Sequence, residues 1–91
     1  MAATVRIPTT MRPLTGGEKQ VAVEPGTLRD VIEALEAAHP GLGERLLDDD
    51  GELRKFVNIF VDDDDVRYLD GLETKVADDI TVSIIPAVAG G

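Results

Sequence analysis

Ninety-one residues with nine basic against eighteen acidic side chains give a formal net charge of −9, and the chain has no cysteine. That length makes one small domain with room for one sheet and one main helix, while the absence of cysteine excludes disulfides, thiolate metal sites and thiol nucleophiles together. So acidic a surface repels phosphate backbones, which excludes nucleic acid as a partner and leads to the expectation of a protein partner with a basic docking face.

Residues 1–8 show no basic stretch followed by a long apolar run, so no secretory signal is expected and the cytoplasm is the expected compartment. No segment reaches the length of a membrane span, so no membrane partner is expected. Thr4-Val5-Arg6-Ile7 and Gln20-Val21-Ala22-Val23 alternate apolar and polar residues, which predicts two strands of a hairpin. The connection between them holds Pro8, Pro13, Gly16 and Gly17, breakers that predict an exposed structural loop. Met11, Arg12 and Leu14 are the side chains on it that would reach a partner. Thr27 with Asp30 three residues later is close to a capping box and predicts a helix over 28–38. Leu28, Val31, Ile32, Leu35 and Ala38 make its apolar stripe, and Arg29, Asp30, Glu33 and Glu36 turn to water. His39-Pro40-Gly41 ends the helix, since the residue before a proline is pushed out of the helical region. His39, the sole histidine, reads as a helix-end residue rather than a catalyst or ligand. Leu42, Leu46 and Leu47 predict a short helical turn closing the core.

Asp48-Asp49-Asp50-Gly51 invites a calcium reading, but with Gly51 at the loop's invariant glycine the first and last ligand positions fall on Leu46 and Val57. No metal site is expected there. Asp62 to Asp65 reads as a solvated turn between Phe56-Val57-Asn58-Ile59-Phe60-Val61 and Val66-Arg67-Tyr68-Leu69. Val57, Ile59 and Val61 are assigned inward, which leaves Phe60 outward, where it pairs with Ile85 as a candidate partner patch. Leu72 and Val76 anchor the segment between the turns at Asp70-Gly71 and Asp78-Asp79. Ile80, Val82 and Ile84 then alternate with Thr81 and Ser83 as a last strand.

Pro86, lacking an N–H, is expected to end that ladder, dividing a domain over 1–85 from a flexible tail over 86–91. Pro86, Ala87, Val88, Ala89 and Gly90 are small enough to thread a narrow channel and present the Gly91 carboxylate as a reaction site. Strand, strand, helix, strand and strand in this length predict an α+β fold of β-grasp type, a mixed sheet over one main helix with the last strand central.

Phe56-Val57-Asn58-Ile59, the acidic turn into Asp65-Val66-Arg67, Ala77-Asp78-Asp79 and Pro86-Ala87-Val88-Ala89-Gly90-Gly91 resemble the ubiquitin-like sulfur carrier proteins, the ThiS/MoaD-like family. The resemblance spans essentially the whole chain, and VRIPTTMRPLTGG with IIPAVAGG is most similar to the branch serving cysteine biosynthesis. It implies that a partner adenylating and sulfurtransferase enzyme spends ATP on Gly91 and leaves a C-terminal thiocarboxylate. It further implies a sulfur-accepting enzyme such as a cysteine synthase, and a zinc metalloprotease that trims the product. The same family serves molybdopterin and thiamin synthesis, and ubiquitin-like modifiers are joined to lysines. In each case the chain itself would hold no catalytic residue and no bound cofactor.

Overall fold

The computed structural model describes residues 2–86. In chain order they form β1 (Ala3–Arg6), β2 (Gln20–Val23), β3 (Gly26–Thr27), α1 (Leu28–Ala38), α2 (Leu42–Leu46), β4 (Val57–Val61), β5 (Asp64–Asp65), β6 (Lys75–Val76) and β7 (Thr81–Pro86). Three 3₁₀ turns join them, over Thr9–Thr15, Val66–Tyr68 and Gly71–Glu73. The main sheet has the order β2-β1-β7-β4-β5, with β1 and β7 parallel and the other pairs antiparallel. As expected of the β-grasp reading, the last strand is central, and α1 closes the face that carries Val5, Ile59 and Val82. The fold is α+β and β-grasp. A separate pairing of β3 with β6, Gly26 opposite Val76, ties the start of α1 to the segment before the last strand. Two-residue strands leave no alternation to read, so this pairing has no sequence signature.

α1 begins where the capping box places it. The Asp30 N–H donates to Thr27 Oγ1 at 3.2 Å, and the Thr27 N–H donates to Asp30 Oδ2 at 3.1 Å. Leu28, Val31, Ile32 and Leu35 are buried, but Ala38, which the stripe assigns to the core, is exposed. It is the last residue of the helix. Glu36 also departs from its expected place in water. Its carboxylate accepts from the N–H groups of Gly41 at 3.1 Å and Gly43 at 2.8 Å, satisfying free donors at the start of α2. Gly41 reaches this position with φ of +105°, a backbone conformation that a side chain would strain.

The connection after β1 is not an exposed loop. It winds into the 3₁₀ turn Thr9–Thr15, which buries Met11 and Thr15 and ends on Gly16 in the left-handed region. Met11 is therefore core, withdrawn from the partner contact expected of it. Pro86 is a second correction: β7 runs one residue further than expected, and Pro86 stands opposite Val57 as its last pair. β1 stops pairing with β7 at Ser83, so β7 has a free edge beyond that point, and a proline facing such an edge leaves no ladder bond unmade.

Candidate functional site

β7 delivers the chain to one end of the sheet, and its register with β4 decides what surrounds that point. Ile84 lies opposite Ile59, Ile85 opposite Asn58 and Phe60 opposite Ser83. Alternation puts Ile85, Ser83, Asn58 and Phe60 on the face turned away from α1. Ile85 is 49% exposed and Phe60 half-buried, and they are diagonal neighbours across the strand pair. The two residues of the candidate patch are thus brought together. Phe56, in the turn that enters β4, is 63% exposed. The patch read from the sequence omits Phe56, which is a turn residue just before β4. Ala87 to Gly91, including the candidate sulfur-bearing Gly91 and the threading residues Ala87, Val88, Ala89 and Gly90, lie outside the described residues. Pro86 is the point from which they continue.

Arg67 sets the position of the segment that enters β4. Its guanidinium donates to Asn58 Oδ1 at 2.7 Å and to the carbonyls of Arg54 at 2.8 Å, Lys55 at 3.2 Å and Val57 at 2.8 Å. A planar fork of five donors can serve four acceptors at once, which a lysine cannot do. The Arg67 N–H is itself held by Asp65 Oδ1 at 2.8 Å. One side chain therefore holds residues 54–58, the segment that includes Phe56 and the partner of Pro86. Nothing local in the sequence signals a side chain bonded to carbonyls nine to thirteen residues away.

The charge of −9 is not spread evenly. Where β7 begins, β1 begins and β4 ends, the rim carries Glu24, Asp62, Asp63, Asp64, Asp78 and Asp79. There the Asp62 N–H donates to the Thr81 carbonyl and Asp62 Oδ1 accepts from the Thr81 N–H at 3.1 Å. At the opposite end, where β7 finishes, Arg6, Arg12 and Lys19 line one side, and Arg45 and Arg54 flank Pro86 on the other. Glu18 and Glu44 are the carboxylates on this side. The expected basic docking face on a partner rested on net charge alone. The surface beside the end of β7 is instead predominantly basic.

Among the described residues no group of three or more His, Asp or Glu side chains is placed to hold a metal ion. No described helix is long and apolar enough to cross a membrane. His39 caps the end of α1, its N–H on the Leu35 carbonyl.

The family model for ThiS matches residues 5–91. The chain belongs to the ThiS family, the ubiquitin-like sulfur carriers. It is 53% identical to the sulfur carrier protein CysO of Mycobacterium tuberculosis over the full length of both chains. The crystal structure of M. tuberculosis CysO superposes with a TM-score of 0.89 at 51% identity, covering 94% of this chain and 99% of that one. A chain of the Amycolatopsis orientalis BexX/CysO complex superposes with a TM-score of 0.93 at 46% identity, covering 99% of this chain and all of the other. A further relative is the small archaeal modifier protein 3 of Haloferax volcanii, 43% identical over 65 residues, which are 71% of this chain and 70% of that protein. The family match runs through Gly91.

Proposed function

We propose that this ThiS-family chain carries sulfur as a thiocarboxylate on Gly91 and delivers it for cysteine biosynthesis. The observation that carries the reading is the placement of β7. The central strand, bonded on both sides, ends at an exposed apolar and basic rim at Pro86, five residues before Gly91. Five extended residues span about 17 Å, enough to reach the interior of a partner while the domain rests on its surface. The full-length likeness to CysO supports cysteine as the destination.

The chemistry follows from the weakness of a carboxylate as an electrophile. A partner enzyme brings ATP, the Gly91 carboxylate attacks the α-phosphate, and pyrophosphate leaves. The terminal sulfur of a persulfide then attacks the acyl carbon and AMP leaves, after which a thiol cleaves the acyl disulfide and frees the thiocarboxylate. A cysteine synthase holding an activated serine is the acceptor. This chain acts throughout as substrate, contributing the tail and the docking surface. The glycine pair at the end leaves the acyl carbon open to both attacks.

Intact-protein mass spectrometry after incubation with an adenylating enzyme, ATP and a sulfur donor tests this. The unaltered chain gains one oxygen-for-sulfur exchange at Gly91. Deleting Gly91 shortens the reach by about 3.3 Å, and Gly90→Val puts a branched side chain next to the reacting carbon, so neither is sulfurated although both remain folded. Equal sulfuration of the shortened chain refutes the reading. The likeness to a small archaeal modifier protein favours a second reading, transfer of the activated Gly91 acyl group to a lysine amine. That outcome would appear in the same spectra as a covalent adduct of this chain with another protein.

A further inference from the structure

The groove beside the end of β7 is lined by Arg6, Arg12, Lys19, Gln20, Ser83 and Ile85 and has a volume of about 360 Å³. It gathers three of the nine basic residues of a chain whose net charge is −9. None of the three is ion-paired among the described residues, where the one salt bridge joins Arg29 to Glu73. The segment that carries them is nonetheless held in place. The Arg12 Nε donates to the Ile7 carbonyl at 3.1 Å, the Ile7 N–H donates to the Lys19 carbonyl at 2.8 Å, and the Thr15 hydroxyl lies 3.0 Å from the Glu18 carbonyl. The result is a basic surface carried on a held segment, with no ion pair of its own among the described residues and Ile85 as one wall.

We propose that this groove docks an acidic lip, a cluster of Asp or Glu side chains, on the enzyme that takes in the tail. This rests on the carrier reading above and adds the charge of the surface that receives it. The argument is one of desolvation. An enzyme that draws in the residues after Pro86 must cover Ile85, and Ile85 belongs to both the apolar patch and the groove. Covering it strips water from Arg6, Arg12 and Lys19. Removing solvent from unpaired cations is unfavourable unless carboxylates meet them. An apolar or basic lip would leave those charges uncompensated, whereas an acidic one makes charge-assisted hydrogen bonds with them. The polarity of the domain adds orientation. An acidic face attracts the Pro86 end and repels the end carrying Asp62, Asp63, Asp78 and Asp79, so encounters bring the tail in first.

The test compares two double charge reversals in the full chain. Arg6→Glu with Lys19→Glu alters the groove at two exposed side chains that make no hydrogen bond among the described residues. Arg29→Glu with Lys75→Glu makes the same change in net charge on the helix-bearing side. Both are checked for folding by amide NMR spectra, then followed by stopped-flow association and sulfuration with one adenylating enzyme. The groove pair slows association and raises KM by about tenfold or more at low salt, with kcat little changed, and the deficit shrinks as ionic strength passes about 0.15 M. The control pair stays within about twofold. Equal slowing by both pairs would reduce the effect to net charge and overturn the proposal, as would no slowing by either. If the unaltered chain is not sulfurated at all, the carrier reading fails and this surface fails with it; sulfuration insensitive to the groove pair sinks only the surface.

Discussion

Leu35→Ala tests the packing that holds β7 in place. Leu35 is 1% exposed, in the middle of the α1 face that lies on the sheet, between Val31, Ile32 and the strand residues of the core. Truncation removes three carbons, and at about 0.8 kcal/mol per buried methylene the transfer loss is roughly 2.4 kcal/mol. A residual cavity adds to this at about 24 cal/mol per Å³, so a void of roughly 40 Å³ brings the cost to about 3 to 4 kcal/mol. In a domain of this size that lowers Tm by roughly 15 to 25 °C. Ala38→Lys is the matched control: the stripe places Ala38 in the core, the structure exposes it, and a lysine near the helix C-terminus should change stability by less than about 0.5 kcal/mol. Urea unfolding of both variants, read as a shift in midpoint at constant slope, gives the comparison. A cost below about 1 kcal/mol for Leu35→Ala, or above about 2 kcal/mol for Ala38→Lys, would mean the helix face is wrongly assigned.

Arg67→Lys retains the charge but loses the fork that bonds four acceptors. At this exposed site the expected cost is about 1 to 2 kcal/mol, with faster hydrogen exchange around Val57 and Asn58 while the α1 amides keep their protection. Unchanged exchange there would show that the clasp does not position β4. Glu36→Ala leaves the Gly41 and Gly43 N–H groups without their acceptor and should cost about 1 kcal/mol in chemical denaturation, whereas Glu36→Gln keeps an acceptor and recovers part of it. Ile85→Asp, at a half-exposed position outside the core, should leave the unfolding midpoint nearly unchanged but weaken binding to the adenylating enzyme by at least tenfold in calorimetric titration. Wild-type affinity in that variant would remove the apolar patch from the interface.

The sequence by itself determined the parts of this protein that depend on near neighbours. The α1 boundaries follow from Thr27, Asp30 and His39-Pro40, and its buried face follows from the spacing of Leu28, Val31, Ile32 and Leu35. The outward turn of Phe60 and Ile85 follows from period-two alternation, because one inward-facing residue assigns its whole strand. Family membership was legible for a related reason, since short runs such as Pro86 to Gly91 are contiguous in the chain. Tertiary structure alone decided the rest. Met11 is buried because the 3₁₀ turn carries it into the core cluster, a path that proline and glycine content predicts only as irregular. Pro86 stays in register because β1 ends early and frees that edge, which depends on the length of another strand. Glu36 and Arg67 do their work on backbone groups distant in sequence, and the basic groove exists because the β1–β7 pairing and the turn after β1 bring Arg6, Arg12 and Lys19 beside Ile85. Net charge is a sum over the chain, but a partner meets the charges on one surface, and only the fold determines which residues share it.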